Sequence, residues 1–198
     1  VVCLPRGSHP IVHYFLCLHK SLFPIRNLKD LDPKMVNRVG LMDAQRRERF
    51  GQAVRLLEHA SEIIVYDHHV DQSSDVNATD FVIEKVGSAT TIVVEKLQKA
   101  MEKARKGSSR GEISWTAVID KKVPMPYLPD THVTLLALGI HADTGSLNFD
   151  SSTPRDARAL AWLMEQGASQ QAIAEFTHTA LSPEQKTALL EAFGRLNQ

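Results

Sequence analysis

Three apolar stretches of this chain end in an aspartate: VGLMD at Asp43, IIVYDHH at Asp67 and LALGIHAD at Asp143. Two imidazoles, His68 and His69, follow the second of them directly. If the stretches are core elements of a parallel sheet, their ends meet along the carboxyl edge, where ligands bind in such folds. Three carboxylates and two imidazoles brought together there repel or crowd one another unless a cation sits between them. Hard oxygen donors with an imidazole suit Mn2+ or Mg2+, whereas structural zinc favours thiolates that these segments lack. A pair of such ions activates water and clamps a phosphoryl group during in-line displacement. The competing reading of any one of these aspartates is a turn or cap residue, which strand ends select on their own account. The adjacent histidines weigh against it, because imidazoles at the end of a buried strand are costly unless solvated, hydrogen-bonded or metal-bound. His141 is a candidate supporting group beside Asp143, while His13, His19, His59 and His132 read as surface or helix residues.

The elements that must position these groups alternate along the chain. A short buried strand is expected over 1–4, then a helix capped by Ser8 whose apolar residues recur at helical spacing and which ends before Pro24. Val39 to Met42 delivers Asp43, and a helix is expected from about 45 to 60. The strand Ile63 to Tyr66 delivers Asp67, and a third strand covers Phe81 to Ile83. Gly87-Ser88 opens a long helix from Ala89 to about Arg105, with Ser88 as its cap. Residues 106–130, basic, Gly/Ser-rich and then proline-broken, read as the least ordered region. The apolar run 133–140 fits a buried helix or strand. Thr153-Pro154 opens a helix that Gly167 closes, a short helix follows over 169–176, and the capping box Ser182-Pro-Glu-Gln185 opens a last one. Strands alternating with helices predict an α/β fold with a doubly wound, mainly parallel sheet.

Composition narrows the partners. Twenty-three basic and 23 acidic side chains cancel over 198 residues, so the chain lacks the global basic field of proteins that grip duplex DNA through many phosphates. A small phosphorylated substrate, or a short strand in one groove, remains open. Cys3 and Cys17 form neither a disulfide framework nor a zinc-ribbon spacing, which predicts a reducing, intracellular setting. No apolar run approaches the roughly 20 residues that span a bilayer. No membrane partner is expected.

YDHHVDQSSD resembles the signature of the DHH phosphoesterase family. GIHADTGSLNFDSSTPRDARALAWLMEQGA is similar to that family's fourth motif and following helix, and VGLMDAQRRERFG to its second. The matches fall in the family's order over nearly the whole chain. LLALGIHADTGSLNFD and PRGSHPIVHYFLCLHKSLFPIR resemble the DHH domains of large proteins that also carry CBS modules and a tRNA-nucleotidyltransferase or poly(A)-polymerase head.

The resemblance implies that Asp43 bridges two metal ions and that His68 and Asp143 are ligands of the second. It implies that His69 contacts the scissile phosphate and that Asp67 stands behind the histidines, fixing an imidazole by a hydrogen bond. Thr144 and Gly145 would shape the turn presenting Asp143. Ser88, Arg46 and Arg47 are candidate phosphate contacts, each with a plainer reading as a helix cap or a solvated side chain. The family's first motif, an Asp-x-Asp supplying ligands to both ions, belongs upstream of Asp43. Asp30-Leu31-Asp32 lies in a turn at the wrong place in the order and does not qualify. Its second domain, with a glycine-rich substrate loop, is not recognised either. The chain therefore reads as a DHH domain over 1–180, truncated at both ends, with 181–198 beginning a connecting helix. The expected activity is metal-dependent hydrolysis of phosphoester or phosphoanhydride bonds, with single-stranded nucleic acid or oligonucleotides preferred over pyrophosphate or polyphosphate; without the first motif these residues alone are expected to be almost inactive. The alternative is a catalytically incomplete module that holds a strand, tRNA included, for a fused nucleotidyltransferase.

Overall fold

The computed structural model describes residues 1–107, 128–177 and 183–196. Three parallel strands, β1 (Arg38–Met42), β2 (Glu62–Asp67) and β3 (Asp80–Ile83), form a sheet in the order β1-β2-β3. Around them lie α1 (Pro10–His19), α2 (Ala89–Gly107), α3 (Asp130–Thr144), α4 (Pro154–Glu165), α5 (Gln170–Thr177) and α6 (Pro183–Leu196). The architecture is α/β, a small parallel sheet flanked by helices.

The pleat decides which residues reach the core. Val39 pairs with Ile63 and Leu41 with Val65, and these positions share one face. Leu41, Ile63 and Val65 bury that face against Phe50, Leu57 and Val76. Tyr66 points the other way, with Lys96 of α2 standing 5.3 Å from its ring centre. A second apolar cluster joins the helices, with Phe15 of α1, Val94 of α2, Leu138 and Ile140 of α3, and Leu163 of α4 at its centre. α3 has no polar face to speak of: Val133, Ala137, Leu138 and Ile140 are at most 1 % exposed. A helix apolar on all sides is a core helix.

Two expected elements come out differently. Residues 1–4 make no strand of the sheet: Val2 forms one parallel bridge to Ile25, and Val1, Val2 and Leu4 are exposed. Val2 donates to Pro24 O and accepts from Arg26 N, but Pro5 and Pro24 have no N–H to extend the ladder. The continuous helix expected over 45–60 is a 3-10 stretch, Arg47–Leu57, broken at Gly51, whose φ of 50° leaves the helical region. The 133–140 run is helical. Most of the expected loop at 106–130, and Ser182, lie outside the described residues. Among the described residues no helix is long and apolar enough to cross a membrane.

Candidate metal centre

Parallel pairing puts the carboxyl ends of β1 and β2 side by side. Asp43 follows β1 in a left-handed backbone conformation, φ 57°, which costs an L residue energy and which Asp tolerates better than most. Its N–H donates to Tyr66 O at 2.8 Å, tying it to the end of β2. Its carboxylate reaches the histidines there: Oδ1 lies 3.1 Å from His68 Nε2 and 3.9 Å from His69 Nδ1.

Asp67 continues the buried face of Ile63 and Val65 and is itself 0 % exposed. Its Oδ1 accepts from His68 N at 2.7 Å, from His69 N at 3.1 Å and from His69 Nδ1 at 2.7 Å. A carboxylate only accepts, so the His69 proton sits on Nδ1 and Nε2 is left free. The same logic fixes His68, whose Nδ1 lies 3.1 Å from the carbonyl of Val86. Its Nε2 faces Asp43. That carboxylate, more than any other cause, pushes the His68 pKa up to about 9; burial pulls it down, while Val86 O and the charges of Asp43 and Asp143 add to the rise.

Asp143 arrives from a helix rather than a strand, in the last turn of α3. Ser88 Oγ donates to its Oδ2 at 2.6 Å and accepts from Thr90 N at 3.1 Å, so one hydroxyl caps α2 and holds Asp143. Burial raises the Asp143 pKa, Ser88 opposes that, and the charges of Asp43 and His68 also act on it. Thr144 Oγ1 donates to Ile140 O and accepts from Leu147 N, and Gly145 ends the helix with φ 54°. Together they form the turn after Asp143. His141 has a buried Nδ1 without a hydrogen-bond partner, and burial lowers its pKa.

One ligand atom from each of Asp43, Asp67, His68 and His69 lies within 4.8 Å of the others. Asp143 stands outside that group of four. Apart from the contact with His68, Asp43 Oδ1 is buried with no hydrogen-bond partner, and Asp67 Oδ2 is likewise unpartnered. Unsatisfied carboxylate oxygens converging on a free imidazole nitrogen are costly as they stand. A cation among these donors would offset that cost, so the group could hold a metal ion.

A cleft of about 360 Å³ opens at Asp43, bounded also by Gln45, Arg46, Arg49, His69 and Gln72. Arg46 lies on this cleft, although its Nε is also 3.6 Å from Glu48. Arg47 does not line it; its backbone N–H donates to Asp75. Two supporting residues escaped sequence reasoning. Buried Gln45 donates from Nε2 to His69 O at 2.7 Å, bracing the loop behind the histidines. Asp156, also buried, accepts from Gly87 N, Thr91 Oγ1, Thr153 N and Thr153 Oγ1 at 2.6–2.9 Å. Burial works to raise its pKa, but those donors prevail and lower it. The Thr-x-x-Asp pattern at Thr153 was the available signal for Asp156. Gln45 had none beyond its distance from Asp43.

The fold is shared with two solved proteins. A Methanococcus jannaschii protein assigned to the family II inorganic pyrophosphatases superposes with TM-score 0.55 and 18% identity, over 85% of this chain and 48% of that one. An exopolyphosphatase-related protein from Bacteroides fragilis gives TM-score 0.55 and 12% identity, over 87% and 52%. In sequence the chain is similar to the A-adding tRNA nucleotidyltransferase of Geobacter sulfurreducens, 34% identical over 167 residues, 84% of this chain and 16% of that protein. The Aquifex aeolicus A-adding tRNA nucleotidyltransferase is 39% identical over 141 residues, 71% and 14%. The chain thus spans about one sixth of the length of these curated relatives. No established family model matches it.

Proposed function

We propose that this chain is the metal-binding part of a DHH-type phosphoesterase acting on single-stranded nucleic acid or short oligonucleotides, within a longer protein that handles tRNA. The observation that carries the reading is the convergence of Asp43, Asp67, His68 and His69 on one point, with buried carboxylate oxygens lacking partners. The shared fold with pyrophosphatase- and exopolyphosphatase-type proteins supports phosphoryl chemistry, and the tRNA nucleotidyltransferase relatives support a nucleic-acid setting. In this reading residues 1–180 belong to the phosphoesterase part and 181–198 to a connecting segment.

Bound Mn2+ or Mg2+ would supply Lewis acidity and an activated water. The chain's own groups do the rest. Asp43, held across the strand ends by its N–H bond to Tyr66 O, would hold metal through its carboxylate. His68 would hold it through Nε2, because Val86 O keeps a proton on Nδ1, and Asp143, steadied by Ser88 and outside the group of four, would be a further ligand. His69 is oriented by Asp67 through Nδ1, so that Nε2 is left for substrate and would serve a phosphate oxygen only as an N–H donor; Arg46 and Arg49 line the adjoining cleft together with Asp43, Glu48 and Asp67. The test is hydrolysis of a short single-stranded oligonucleotide by the intact longer protein with and without Mn2+, the 198 residues alone being expected to be nearly inactive for want of an Asp-x-Asp at the first-motif position. The expected result is metal-dependent cleavage abolished by Asp43→Asn. Cleavage insensitive to that change refutes the site. The second reading, a noncatalytic module holding a strand for a fused nucleotidyltransferase, is favoured by the identity of the relatives. Strand binding without cleavage by the intact protein selects it.

A further inference from the structure

A second, larger cleft lies apart from the one at the metal centre. It measures about 740 Å³ and shares no lining residue with the first. Arg6, Lys20, Arg26 and Lys29 line it, with His13 beside them, and among the described residues no Asp or Glu does. In a chain whose charges cancel exactly in number, 23 against 23, this is a local excess. Among the described residues none of these four cations is in an ion pair. Asp30, next to Lys29 in sequence, instead accepts from Asn27.

The cleft is built, not accidental. The Val2–Ile25 bridge, closed by Val2 N to Pro24 O and Arg26 N to Val2 O, ties the first residues to the segment that carries Arg26. Arg55 donates to Leu28 O at 2.7 Å and holds the turn that carries Lys29. Apolar groups, Leu4, Leu16, Ile25 and Leu28, line it together with the cations. Unpaired cations together with apolar surface suit a ligand that is a chain of phosphates on one side and flat and apolar on the other. That description fits a single strand of nucleic acid better than inorganic polyphosphate, which has no apolar face.

Gly7 and Ser8 also line the basic cleft. We infer that the basic cleft at Arg6, Lys20, Arg26 and Lys29 holds the phosphodiester backbone of a single-stranded nucleic acid, the substrate class proposed for the metal centre. This rests on the reading of that centre as one that acts on a strand.

Cys17 is an exposed thiol on the wall of the cleft and reports on its occupancy. The experiment measures alkylation of Cys17 by iodoacetamide in the full chain, by peptide mass spectrometry, with partly buried Cys3 as internal control. EDTA is present, so catalysis plays no part. A single-stranded oligonucleotide of about 10 nucleotides, within the span of single-strand grooves, should slow Cys17 alkylation at least about fivefold and leave Cys3 unchanged. Four phosphate contacts predict a slope of log affinity on log salt of about −3, hence a loss near 50-fold from about 50 to 200 mM. The double change Arg26→Ala with Lys29→Ala should halve the slope and cut that loss to about sevenfold. Circular dichroism of the double variant checks that it folds. Lack of protection, or a slope the double change leaves intact, overturns the cleft assignment. Equal protection by inorganic polyphosphate of matched charge overturns the strand as its occupant. Protection without Mn2+-dependent cleavage by the intact longer protein leaves the cleft standing and sinks the catalytic reading alone, whereas cleavage without protection does the reverse.

Discussion

If His68 is to hold a metal ion it must first surrender a proton. In the metal-free chain that proton is held up to about pH 9, because the Asp43 carboxylate lies 3.1 Å from Nε2, with Val86 O and Asp143 adding to the effect against burial. Proton and metal compete for the same nitrogen, so the apparent affinity follows the neutral fraction of the ring. At pH 7, about two units below that pKa, the neutral fraction is about 1 %, and affinity falls about 100-fold from its plateau. An ordinary imidazole titrating near 6.5 would lose only about 1.3-fold at the same pH. Calorimetric titration of Mn2+ under anaerobic conditions, in buffers of differing ionisation enthalpy, counts the protons released. Nearly one proton per ion at pH 7 is expected, with log affinity rising at unit slope up to about pH 9, and no release from His68→Gln. The linkage has a second sign to check. A raised pKa contributes stability that is fully present below about 6.5 and lost as pH rises through about 9, so the metal-free fold weakens over that window and Mn2+ restores it. Release of less than about half a proton at pH 7, or an affinity plateau already reached near 6.5, would falsify the pairing of His68 with Asp43.

Other changes separate ligation from support. Asp67→Asn keeps the shape of the side chain but weakens its grip on the His69 ring, and should reduce Mn2+ affinity about 10- to 100-fold; unchanged binding removes its orienting role. Asp156→Ala leaves buried donors at Gly87, Thr91 and Thr153 without an acceptor, at about 1–3 kcal/mol each, so a loss of at least about 3 kcal/mol is expected in urea unfolding. A loss under about 1 kcal/mol would mean that water replaces the carboxylate. Gly87→Ala puts a Cβ 2.7 Å from Thr144 Cγ2 and 2.8 Å from Asp156 Oδ2, an overpacking cost of about 1–3 kcal/mol. Because Ser88 follows it and holds Asp143, metal affinity should fall along with the melting temperature, and a drop in stability alone counts against that coupling.

How much of this was legible in the sequence depends on the range of the interaction involved. The β1, β2 and β3 segments, the start of α2 at Ala89 and the Thr153 opening of α4 are set by local patterning and capping, and the chain alone determined them. So did the DHH triplet, since the pleat that buries Val65 also buries Asp67 and turns His68 to the opposite side. The apolar run before Asp143 carried no such mark: with apolar residues on every side, period could not separate strand from helix, and contact with α2 and α4 settled it. Residues 1–4 look like a strand by composition, yet a ladder needs donors on both partners, and Pro5 and Pro24 supply none. Gln45, Asp156 and the ring of cations at Arg6, Lys20, Arg26 and Lys29 are ordinary polar residues in sequence. What they face is decided by groups as many as 69 positions away, as Gly87 is from Asp156, and such proximity exists only once the chain has packed.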